Sequence, residues 1–290
     1  MTSQQYSLAV IAIAAAFAWS GCAVAEAPGG PGEGDAQSRA SSAPTPRTSD
    51  GRPDLTGLWG ANGLPIGAQV DEKGNVTLPF GGLAREGKLV NFERDSGIVQ
   101  RAHANKPLYK PEYWDKVQQL DQNGNKEDPT FGCMPAGVPR LGPPGKIVQT
   151  PTETLFFYNR YDTGNAFRVI YTDGRSHHPE KEWLSTWHGH SIGRWDGDTF
   201  VIETIDFTDE SWLDWPGYFH STEMRVVERI RREGDVLHYQ VTVEDPELLL
   251  EPWVRDEVLV KRNPDPKAEF IEELPCSERD REHIVTKERG

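Results

Sequence analysis

EMRVVERIRREGDVLHYQVTVE, residues Glu223 to Glu244, decides the fold. In its first half Met224, Val226, Glu228 and Ile230 alternate with Glu223, Arg225, Val227, Arg229 and Arg231, and in its second half Leu237, Tyr239, Val241 and Val243 alternate with more polar neighbours. A period of two puts each set on one face of a pleated strand, so these positions face the core. Gly234-Asp235 between the two runs is the turn of an antiparallel hairpin. Glu228 thereby becomes a carboxylate among apolar neighbours, and His220 and Thr222 share its side if the strand extends back to them.

HGHSIGRWDGDTFVIETI, 188–205, forms a second hairpin. Taking Asp196-Gly197 as a type I′ turn sets Trp195 against Asp198, and counting outward sets His190 against Glu203 and His188 against Ile205. Ser191, Gly193, Phe200, Ile202 and Thr204 share the other face. Both faces mix polar and apolar groups, so the pattern leaves open which one points inward.

Further β-rich runs are Leu155 to Arg160, Ala166 to Thr172 and Val254 to Arg262, with short strands at Leu58-Trp59 and Ile147 to Gln149. The expectation is a mainly β protein, an antiparallel meander of about eight or nine strands closing into a barrel. PEYWDKVQQL, 111–120, is the one short helix predicted. Between Gly60 and Pro144 the chain is irregular, with a strand signal only at Asn75 to Phe80.

Leu8 to Trp19 is an uncharged apolar run, the core of an export signal over residues 1–25. Ala23-Val24-Ala25 suits ordinary cleavage, and Ser20-Gly21-Cys22 suits a lipoprotein site with a lipid anchor at Cys22; both stay open. Residues 26–50, rich in Gly, Pro, Ala and Ser, read as a disordered linker, and 51–290 as a single β domain. No later stretch is apolar enough to span a bilayer, and the net charge of −14 argues against nucleic acid as a partner. A periplasmic or secreted location follows, and there Cys133 and Cys276 are most simply a disulfide.

Gly57-x-Trp59 resembles the lipocalin signature, which implies a barrel with Trp closing one end. CMPAGVPR (133–140), IYTDGRSHHP (170–179), WHGHSIGRWDGDTFVIET (187–204) and VVERIRR (226–232) resemble a family of uncharacterised exported bacterial proteins with CxPPGxPR, DGRxHP, WxGHSxGRWxGDT and ERxRR motifs. The likeness covers roughly 52–278, with Ala136 in place of the second Pro and an extra His at 188. It carries no chemistry, so function rests on the residues.

His178, His190 and His220 each sit near a carboxylate, His190 by its expected pairing with Glu203. A histidine held by a carboxylate has its tautomer set and suits proton transfer. The site expected is therefore His190, Glu203, His220 and His178 for acid–base chemistry, with Arg175, Tyr171, Trp187, Glu228, Tyr239 and Trp212 as binding residues. Arg140, Arg168 and Arg194 are further candidate anchors, more simply partners of buried acids. The ligand is a hydrophobic or aromatic small molecule, taken without cofactor or metal, in an isomerase, hydratase, lyase or cyclase type of reaction. The alternatives are a non-catalytic periplasmic carrier of lipocalin type and a metal site drawn from His178, His188, His190, His220 and Glu203. Cross-strand His and Glu pairs also occur simply to satisfy half-buried polar groups. The loop Thr208 to Gly217 is long enough to act as a lid.

Overall fold

The computed structural model describes residues 44–60, 69–70, 76–77, 104–159, 165–177 and 185–270. His178, Cys22, Cys276, the export signal and linker residues 26–43 lie outside them. The linker's last part, 44–50, packs onto the domain: Arg47 pairs with Asp198 at 2.7 Å, and the Thr45 hydroxyl donates to Arg232 O.

The strands are β1 Gly57–Leu58, β2 Gln69–Val70, β3 Val76–Thr77, β4 Lys146–Gln149, β5 Glu153–Tyr158, β6 Ala166–Tyr171, β7 His190–Asp196, β8 Thr199–Ile205, β9 Trp212–Asp214, β10 Tyr218–Phe219, β11 Arg225–Glu233, β12 Val236–Glu244, β13 Trp253–Val254 and β14 Val258–Lys261. The main sheet runs β1-β4-β5-β6-β7-β8-β11-β12-β13, with β14 also pairing β12. It curls into a half-barrel whose concave face holds the core, and its ends approach where Gly60 N donates to Lys261 O and Asn263 N to Leu58 O. A 3-10 turn at Pro111–Tyr113 leads into the helix Trp114–Gln122, where Pro fits because the first turn's N–H groups have no intrahelical acceptor.

The 223–244 hairpin follows its alternation. Met224, Val226, Glu228, Ile230, Leu237, Tyr239, Val241 and Val243 are all buried, and Glu233 pairs with Val236 across Gly234-Asp235.

Two features differ from the meander expected. β6 and β7 are parallel, Ile170 beside Ser191 and Tyr171 beside Ile192, so 172–189 is a crossover rather than a hairpin loop. The β7–β8 turn centres on Gly197-Asp198, pairing Asp196 with Thr199, and the register slides by two residues: His190 faces Ile205 and Glu203 faces Ile192. Gly197 has φ 57 and takes the first central position, as in type II′ turns. The slide sets Trp195 opposite Phe200, ring centroids 5.1 Å apart, and lays the Phe200 ring over Gly193, where a Cβ would come within 2.5 Å of it. A two-residue slide preserves the faces, and the inward one is Ser191, Gly193, Phe200, Ile202 and Thr204. His190 and Glu203 are on the convex side.

The 208–217 loop is not an open lid. It contains β9, which pairs with β10, and it buries Ser211, Trp212 and Leu213.

Candidate functional site

The residues expected to share one cavity fall into three groups. On the concave face, β6 supplies Arg168 and β11 supplies Glu228, both buried and paired at 2.7 Å. Arg168 also donates to the hydroxyls of Tyr158 (3.1 Å), Ser191 (2.9 Å) and Thr204 (3.0 Å), while the Tyr239 hydroxyl donates to Glu228 at 2.8 Å. Six strands thus converge on one ion pair. Burial works against the Arg168 charge, and the Glu228 carboxylate more than offsets it, so the guanidinium stays protonated. Burial pushes the Tyr158 and Tyr239 hydroxyls up, keeping both protonated.

The second group is His220. Its Nδ1 lies 3.0 Å from the Ser221 carbonyl, which only accepts, so the ring proton is on Nδ1 and the Ser211 hydroxyl donates to Nε2 at 2.7 Å. Burial lowers the His220 pKa, favouring this neutral form. Asp245 accepts from both the amide and the hydroxyl of Ser221, and Gly137, φ 74, presses on Ser211 where a Cβ would clash. Serine and histidine are both almost wholly inaccessible, at 1% and 2% exposure. This arrangement locks the 133–140 and 208–217 segments to the sheet. Trp212 is buried there beside Trp215, Arg140 lies 6.0 Å from the Trp212 ring and pairs with Asp128 at 2.7 Å, and half-buried Trp187 turns its carbonyl toward Gly137.

The third group is on the convex face and half-buried, with His177 Nε2 and His190 Nε2 themselves closed to solvent. His177 Nδ1 and His190 Nδ1 are 2.9 Å apart, and His177 Nε2 is 3.2 Å from Glu203 Oε1, a contact distance not aligned as a hydrogen bond. Arg225 ion-pairs with Glu203 and donates to Glu244 at 2.6 Å. Tyr171 packs against His190, centroids 5.6 Å apart, and the Arg175 guanidinium lies 3.8 Å over the Tyr171 ring while pairing with Asp173. Burial lowers the His177 pKa despite Glu203 and Asp206 nearby. Burial of Glu203 favours its protonated form, but Arg225 and His177 outweigh this and hold it below its ordinary range.

His190, Glu203, Tyr171 and Arg175 thus come together; His220, Trp212, Glu228 and Tyr239 lie in the other two groups. Sequence reasoning missed His177, because no periodicity in the sequence chooses between the adjacent His177 and His178. It missed Ser211, which follows two acidic residues in an apparent surface loop. Cys133 ends the 3-10 turn Pro129–Gly132 in a left-handed conformation. Among the described residues no three His, Cys, Asp or Glu side chains are grouped to hold a metal ion. Comparison with family models, curated proteins and solved structures yields no match.

Proposed function

We propose that this chain is an exported enzyme that moves protons with His190, His177 and Glu203, acting on a hydrophobic or aromatic small molecule in an isomerisation, hydration, elimination or cyclisation. One observation carries the reading: the half-buried sequence of contacts from Glu203 through His177 to His190. The carboxylate favours the proton of neutral His177 on Nε2, so Nδ1 accepts from His190 Nδ1–H and the His190 lone pair is on Nε2. A proton taken at that nitrogen, which is enclosed before substrate binds, leaves a positive charge that two contacts link to a carboxylate, the arrangement a general base needs. Tyr171 supplies an aromatic wall beside His190.

The fold reading extends to a lipocalin-like barrel. Trp59 is buried beneath the Arg232 guanidinium, 5.2 Å from the ring, at the point where β1 and the end of β14 exchange hydrogen bonds. That feature supports the carrier alternative in architecture. The carrier reading is weaker in chemistry, since its cavity would contain the Arg168–Glu228 pair, and a charged lining suits an apolar cargo poorly. Export follows from the leader, with soluble release or a lipid on Cys22 as its two outcomes.

The test is solvent deuterium exchange into aryl ketones with acidic C–H bonds, followed by proton NMR. Wild type should accelerate exchange and His190→Gln should lose on the order of 10²-fold with unchanged thermal unfolding. Equal rates for wild type and His190→Gln would end the proposal.

A further inference from the structure

Glu203 stands on the convex face of β8 between two apolar side chains, Ile192 of β7 and Val227 of β11, and neither can hold a carboxylate. What holds it is Arg225, two residues before Val227 and therefore on the same face of β11. That makes Arg225 the diagonal neighbour of Glu203, a separation that a long side chain spans. Arg225 also lies directly opposite Glu244 of β12, so its guanidinium has an acid on each neighbouring strand.

The contacts divide the carboxylate in two. Arg225 Nε donates to Glu203 Oε2 at 2.9 Å and Nη2 donates to the same oxygen, while Nη1 donates to Glu244 Oε2 at 2.6 Å. Oε1 of Glu203 is left for His177, whose Nε2 lies 3.2 Å away. Among the described residues, the hydrogen bonds to Glu203 all come from Arg225. The arginine and both acids are partly open, at 36% for Arg225, 25% for Glu203 and 39% for Glu244. Ion pairs this exposed add little to stability, because water screens them and ordering two long side chains costs entropy. Their consequence is geometric: Glu203 loses rotations that a glutamate flanked by Ile192 and Val227 alone would keep. Oε1 and Nε2 are in contact but off the hydrogen-bond line, so a small rotation of the carboxylate sets the strength of that contact.

We infer that Arg225 is a positioning residue for the acid–base site: braced by Glu244, it occupies Oε2 of Glu203 and so keeps Oε1 facing His177. This rests on reading His177, His190 and Glu203 as that site. Burial is the largest influence on His177 and lowers its pKa; Glu203 and Asp206 raise it, and Arg225 lowers it further. Glu203 in turn faces Arg225, His177 and Arg194, and His190 lies against the other nitrogen of His177. Arg225 thus acts on His177 in two separable ways, by its own charge and through the carboxylate it holds.

A cycle of variants followed by proton NMR titration of the His177 ring, assigned by its loss in His177→Asn, isolates the second. Glu203→Gln should lower the His177 pKa in the otherwise native protein, and in an Arg225→Leu background the same change should have less than half that effect. Arg225→Leu should also reduce kcat for deuterium exchange about tenfold, by misalignment rather than lost binding, with KM and the thermal midpoint close to wild type. An undiminished effect of Glu203→Gln in the Arg225→Leu background overturns the inference, as does an unchanged kcat in Arg225→Leu. No effect of Glu203→Gln on His177 in the otherwise native protein strikes the inference and the acid–base reading together. Absence of exchange in wild type, with the coupling still dependent on Arg225, upholds the hold of Arg225 on Glu203 and strikes the acid–base reading alone.

Discussion

Replacing Glu228 with Gln should be among the most destabilising single-atom changes in this protein. Glu228 is wholly inaccessible and accepts from Arg168 at 3.1 and 2.7 Å and from Tyr239 at 2.8 Å. Glutamine fills the same volume, but it turns one acceptor oxygen into an N–H donor aimed at the guanidinium donors and leaves the Arg168 charge uncompensated. Breaking one partner of a buried pair costs about 3–5 kcal/mol. With a urea slope of about 2–3 kcal/mol per molar for a domain of this size, the unfolding midpoint should fall by roughly 1–2 M. Removing both charges in Arg168→Met/Glu228→Leu should restore at least half of the loss, because no unpaired charge then stays in the core. Urea unfolding followed by tryptophan fluorescence reads both effects. A cost below about 1 kcal/mol for Glu228→Gln, or a double variant as unstable as the single, would refute the view that this pair is desolvated and coupled.

Three further outcomes follow from the other groups. His188 is held at about 4 by burial, with Arg168 adding to the effect, against 6.5 ordinarily. The unfolded chain therefore binds a proton that the folded chain refuses between those values, so stability should fall as pH drops through that window, by at most roughly 3 kcal/mol from this group. His188→Gln should flatten that slope in pH-dependent urea titrations, with His220 leaving a residue of it; identical slopes would contradict the assignment. Ser211→Ala should cost about 1–3 kcal/mol by stripping the donor from buried His220 Nε2, and a thermal midpoint unchanged from wild type would show the lock to be unimportant. Intact-mass spectrometry of exported protein should find Cys133 and Cys276 bonded, the chain lighter by a pair of hydrogens than its reduced form, whereas two alkylatable thiols would disprove the pairing.

Sequence alone determined the local β architecture, because strand faces are encoded by neighbours two residues apart. The alternation from Met224 to Val243 names the inward residues in advance, Glu228 included, and Pro111 marks the helix start within the chain. The same period separates the two faces of the 188–205 hairpin. It could not say which is concave, since the partner that Ser191 and Thr204 meet on the inward side, Arg168, comes from β6, outside the hairpin. Nor could it set the register there: Asp196-Gly197 and Gly197-Asp198 are both acceptable turns, and the choice falls to the packing of Phe200 over Gly193. The parallel β6–β7 pairing was likewise invisible, as no short-range pattern reports which way a crossover of this length returns. That crossover brings His177 against His190 and Glu203 and sets Asp206 beside Thr186. The candidate site is thus assembled from residues whose local signals are weak, by contacts that exist only once the sheet has curled.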